Sequence, residues 1–106
     1  MVNEAMEAVT VQELKQWLDE GREILLLDVR EDFERELFHI GGEWVPLGEI
    51  QTIEAFPEHK PVVCYCRKGI RSMIAIQRLQ PKFPHIRFYN VTGGLSAWQE
   101  SFPEAG

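Results

Sequence analysis

The stretch "VVCYCRKGIRSMIAIQRL", Val62 to Leu79, reads as a buried strand that turns tightly into a helix. Its first residues show no polar alternation, which suits a strand covered on both faces of a parallel sheet. Gly69 permits unusual backbone angles, and "SMIAIQRL" then spaces its apolar residues as a helix ending near the Gln80-Pro81 step. The joint between strand and helix holds Cys64 and Cys66 together with the cations Arg67, Lys68 and Arg71.

Outward from this unit the pattern repeats. "ILLLDV", Ile24 to Val29, is a second continuous aliphatic run, and "IRFYNV", Ile86 to Val91, is a third strand. Thr10 and Glu13 match a capping box, and Val11, Leu14, Trp17 and Leu18 follow at helical spacing until Gly21. Residues 31 to 37 read as a short helix, "EWVPL" as a brief strand, residues 47 to 56 as a further helix and "GGLSAWQES" as a closing one. Strands alternating with helices predict an α/β sandwich around a mostly parallel sheet. At 106 residues the chain is expected to form one domain over 1–106.

Composition narrows the function. Eleven Lys and Arg against seventeen Asp and Glu give a net charge of -6, which argues against general affinity for nucleic acid or anionic membranes. Any anion must bind at a local exception. Two cysteines separated by one residue are poorly placed for an intrachain disulfide, so a reducing compartment is expected. The N-terminal "MVNEAMEAVTVQELKQWLDEG" carries acids where a leader would be basic, and no apolar run approaches the ~18 residues of a membrane span. The expectation is a soluble, cytoplasmic protein.

Cys64 and Cys66 share a side of the strand if it extends that far, yet their environments should differ. Cys64 lies inside the strand, where free cysteine packs as a small hydrophobe. Cys66 opens the turn. Backbone N–H groups and the positive helix end converge there into an anion-binding nest, and such a setting lowers a thiol from its usual ~8.5. Arg67, Lys68 and Arg71 supply positive neighbours; the alternative is that they are solvated surface cations. No metal is expected, since Cys64, Cys66 and the scattered His39, His59 and His85 lack zinc-ligand spacing.

At this point the residues resemble the single-domain rhodanese, or thiosulfate sulfurtransferase, family over nearly the whole chain. "LLLDVRE" resembles its first block and "HIGGEWVPL" its His-Ile-Pro-Gly block. "CRKGIRS" is similar to its active-site loop and "VTGGLSAW" to its C-terminal Gly-Gly-x-x-x-Trp block. The resemblance implies a rhodanese-like three-layer sandwich, a central mostly parallel sheet flanked by helices. It also implies Cys66 as a nucleophile that carries a persulfide, with substrate bound by Arg67, Lys68, Gly69, Ile70, Arg71 and Ser72. No cofactor is implied. The expected partners are a small anionic sulfur donor such as thiosulfate and an acceptor that is cyanide, a thiol or a protein.

The chain departs from that pattern in one segment. Gly41 replaces the usual proline, Glu43 stands where a small residue is common, and the run to Pro46 is one residue short. These changes bear on the strand at Trp44 and Val45 more than on the chemistry. His39 is read as a structural hydrogen-bonding residue and Trp98 as core, with Gly93 and Gly94 making the turn before it. Asp28 and Arg30 end a strand on the side where open α/β sheets place ligands, and either support the loop by an ion pair or cap the next helix. A phosphatase or arsenate reductase of the same topology also uses a loop cysteine and arginine. Such loops hold five intervening residues, against the four here.

Overall fold

A computed structural model describes residues 6–104; the remaining residues of the expected 1–106 domain lie outside the described part. Among the described residues there are five strands, β1 Glu7–Val9, β2 Leu25–Asp28, β3 Glu43–Trp44, β4 Val62–Tyr65 and β5 Phe88–Val91. All neighbours pair in parallel, in the order β1-β5-β4-β2-β3. β4 is therefore central, and Val62, Val63, Cys64 and Tyr65 are all buried, as its unbroken apolar run requires.

Alternation along β4 feeds two cores. One face carries Val62, Cys64 and Cys66 against Ala75, Ile76 and Leu79 of helix α3, Ile70–Leu79 in this fold's numbering of the third helix. The other carries Val63 and Tyr65 against α1, Val11–Asp19, and α4, Gly94–Ser101. α2, Asp32–Leu37, buries no residue fully and lies beyond the end of β2. The expected three-layer α/β sandwich is the observed one, with the sheet entirely parallel.

Local chemistry explains the elements. The Thr10–Glu13 capping box is formed, with the Glu13 N–H donating to Thr10 Oγ1 at 3.0 Å and the Thr10 N–H to Glu13 Oε1 at 2.9 Å. The expected helix over 47–56 is instead a 3-10 helix over Leu47–Thr52. Leu47, Ile50 and Ile53 recur every three residues, the period of a 3-10 turn, and all pack on the α3-side core. β1 has no sequence signal of its own, because only Val9 of its three residues is buried and its pairing to β5 is remote in sequence.

The divergent segment before Pro46 still delivers a strand. The Tyr65 hydroxyl donates to the Gly41 carbonyl at 2.9 Å, and the Trp44 indole N–H to the Arg30 carbonyl at 2.8 Å. Beyond the two residues of β3, Val45 donates to the Asp28 carbonyl at 3.0 Å. The Gly41 N–H donates to His39 Nδ1 at 2.9 Å, which fits the structural reading of His39.

Candidate active site

Because every strand is parallel, their C-terminal ends share one edge, and the turn after β4 lies at its centre. Cys66 is the first residue past that strand, and the chain reverses through Arg67 and Lys68 to Gly69, the N-cap of α3. Gly69 has φ +99°, a left-handed backbone in which a side chain would be strained. An added Cβ there would also lie 3.3 Å from the Val91 carbonyl oxygen. This geometry turns the loop's N–H groups inward. Gly69 donates to Cys66 Sγ at 3.1 Å and Ser72 at 3.4 Å, with Ser72 Oγ 3.4 Å from the same sulfur.

Burial raises the thiol, since Cys66 is only 1% exposed. Pairing with the Ser72 side chain and hydrogen bonds from the backbones of Ser72, Gly69 and Lys68 outweigh it, and Cys66 lies below its ordinary value. The Arg71 charge is felt as well, for Arg71 is raised first by Glu34 and further by Cys66. Hydrogen bonds to the sulfur thus contribute more than the ring of cations expected from sequence. Cys64, on the same face and fully buried, is driven in the opposite direction by desolvation.

The cations divide. Arg71 is held by a bidentate pair to Glu34 of α2, with Nη1 at 2.7 Å and Nη2 at 2.9 Å from the carboxylate oxygens. Arg67 and Lys68 are exposed and form no ion pair among the described residues. Ile70 is exposed beside them, whereas Gly69 and Ser72 are buried.

Asp28 and Arg30 do not touch the loop. Asp28 is fully buried and accepts from Arg30 Nε at 2.9 Å and Nη2 at 2.8 Å, and from Arg35 at 3.1 Å. Arg30 also donates to the carbonyls of Glu34 and Phe38. The pair therefore fixes the C-terminal end of α2. α2 in turn presents Glu34 to Arg71, so support reaches the loop through an intermediate helix.

Two residues that sequence reasoning missed hold the loop from the far side. Gly94, at φ +58°, approaches so closely that an added Cβ would lie 2.6 Å from the Arg67 carbonyl carbon. The N–H groups that follow it secure the loop's carbonyls: Leu95 donates to Cys66 and Ser96 to Arg67, both at 2.9 Å. Asn90 of β5 donates through Nδ2 to the Gly69 carbonyl at 3.0 Å and accepts the Ser72 hydroxyl. Asn90 has a legible signal, being a polar side chain at the inward parity of Phe88 and paired in register with Cys64. Gly94 has only its place in a Gly-Gly pair.

A buried cysteine at the central strand-to-helix turn of an all-parallel sheet, surrounded by inward N–H groups, defines a class of anion-handling cysteine loops. The chain belongs to the family described as "Rhodanese-like domain", whose profile matches residues 10–101. It is 34% identical over 94 residues to the "Probable adenylyltransferase/sulfurtransferase MoeZ" of Mycobacterium tuberculosis, a match covering 85% of the chain and 24% of that protein. The chain thus spans about a quarter of that relative's length. A rhodanese-like domain protein from Staphylococcus aureus superposes with a TM-score of 0.79 at 29% identity, covering 88% of this chain and 91% of that one. The human single domain sulfurtransferase TSTD1 shares the fold, with a TM-score of 0.73 at 23% identity over 88% and 95% of the two chains.

Among the described residues no group of His, Cys, Asp and Glu is arranged to hold a metal ion, and no helix is long and apolar enough to cross a membrane.

Proposed function

We propose that this chain is a sulfurtransferase that carries sulfane sulfur on Cys66, taking it from thiosulfate or a similar anionic donor. The observation that carries this reading is the convergence of the Gly69 and Ser72 N–H groups on Cys66 Sγ. The Cys66 thiolate attacks the outer sulfur of thiosulfate, a new S–S bond forms, and sulfite leaves with the electron pair of the bond that breaks. The product persulfide keeps one negative charge beside the same N–H donors. Cyanide or a thiolate then attacks the outer sulfur and returns Cys66 as thiolate, so neither half-reaction needs a proton or a redox partner. Arg67 and Lys68 draw the dianion to the loop, while Arg71, tied to Glu34, mainly shapes it.

The acceptor is cyanide, a small thiol or a protein. The match to one quarter of a longer adenylyltransferase/sulfurtransferase supports delivery to a protein as the second reading. Phosphatase chemistry fits less well, because only Arg67, Lys68, Gly69 and Ile70 separate Cys66 from Arg71. Intact mass after incubation with thiosulfate tests the reading directly: one added sulfur, removed by cyanide as thiocyanate, is expected. Cys66-dependent hydrolysis of p-nitrophenyl phosphate with no mass gain would overturn it.

A further inference from the structure

The Gly69 carbonyl is only an acceptor, so the atom of Asn90 that bonds it is the amide nitrogen, and Oδ1 faces Ser72. Oδ1 cannot donate. The hydroxyl of Ser72 therefore gives its single proton to Asn90 and turns lone pairs toward Cys66 Sγ, 3.4 Å away. In that arrangement Ser72 accepts from a neutral S–H, and the lowering its side chain gives the thiol is realised only when the hydroxyl turns its proton from Asn90 to Sγ. To serve the charged sulfur the hydroxyl must rotate and leave Asn90 without its donor.

We propose that Asn90 restrains the ionisation of Cys66 by competing with the sulfur for the one proton of the Ser72 hydroxyl. Asn90 is thus a positioning residue that acts through Ser72. The loop's N–H groups favour the thiolate and Asn90 opposes it, which places the thiol between a fully ionised and an inert state. The other charged or titratable groups around Cys66 are Arg71 of α3, neutralised by Glu34 of α2, Cys64 of β4, and the exposed Arg67 and Lys68 of the loop. None contacts the Asn90–Ser72 pair through a described hydrogen bond, so they form a constant background.

The inference concerns the nucleophile of the proposed sulfurtransferase, but its test uses neither sulfur donor nor acceptor. The pH dependence of Cys66 alkylation by iodoacetamide, located by peptide mass, reports the apparent thiol pKa. Asn90→Ala and the strand-compatible Asn90→Val both remove the competing acceptor. In either variant the profile should move down by about half to one pH unit, raising the rate on its acid limb about three- to tenfold. In the Ser72→Ala background the same Asn90 change should leave the profile where Ser72→Ala alone puts it. An upward or absent shift in folded Asn90 variants overturns the proposal. So does a shift that persists without Ser72, which would mean that Asn90 acts through the Gly69 carbonyl. Failure here leaves persulfide formation untouched, and failure to form persulfide leaves the alkylation profile readable.

Discussion

Cys64 and Cys66 are separated by one residue and belong to the same apolar cluster, yet the fold drives their thiols in opposite directions. Cys64 lies in register between Leu27 and Asn90, where its own backbone groups are spent on the sheet ladder and nothing polar addresses its sulfur. Cys66 has just left the ladder. Its sulfur meets N–H groups that the start of α3 leaves without helical partners. What separates the two thiols is not depth, since both are buried, but whether unspent backbone donors are within reach.

The comparison breaks most sharply on substitution of the two sulfurs. Cys66→Ala and Cys66→Ser should abolish both the thiosulfate-dependent mass gain and sulfur transfer to cyanide. Cys64→Ala should keep most of both and lose stability by about 1–2 kcal/mol through packing. A folded Cys64→Ala protein unable to form persulfide would reverse the two assignments.

The second test removes the scaffold instead of the sulfur. Gly94→Ala combines a left-handed backbone with overlap on the Arg67 carbonyl, and should cost about 2–4 kcal/mol in urea denaturation while reducing persulfide formation. Gly48 has open space around it, so Gly48→Ala serves as the control and should stay within about 0.5 kcal/mol. Equal effects at the two glycines would show that the contact beneath the loop carries no weight.

The ion pair behind the loop gives a pH signature. The Arg71 hydrogen bonds, against the cost of burial, hold the Glu34 carboxyl at about 2 rather than 4.5. A carboxyl depressed in the folded state contributes stability that is complete above 4.5 and is lost as pH falls toward 2. Glu34→Gln should destabilise by about 1–2 kcal/mol at neutral pH, and the gap from wild type should close across that window. A gap independent of pH between 5 and 2 would mean the pair's charge contributes nothing.

Smallest in stability is the effect of the exposed cations. Arg67→Ala and Lys68→Ala should change stability by less than about 0.5 kcal/mol. Each should raise KM for thiosulfate, a defect that added salt reproduces in the wild type. Unchanged KM in both would show that the donor is gripped by backbone alone.

The parts that were legible in the sequence are those with local causes. The capping box of α1, the unbroken aliphatic runs of β2 and β4, and the glycine that starts α3 each signal themselves within a few residues. What escaped reading depends on remote partners. β1 exists through β5, Arg71 is claimed by a glutamate from a different helix, and the role of Gly94 appears only when its backbone meets the loop. The local charge also depends on a remote partner. Three cations in a row of six residues suggest a positive ring, but one of them is neutralised by a side chain that no local pattern connects to it.

The fastening of the loop by Leu95 and Ser96 also sets an order of events during synthesis. β4 and α3 leave the ribosome before α4 has been made. Until then the carbonyls of Cys66 and Arg67 lack their Leu95 and Ser96 donors. The last helix of the described fold completes the fastening of the loop. The surroundings of Cys66 are therefore a late product of folding, closed by a segment that is made after the loop itself.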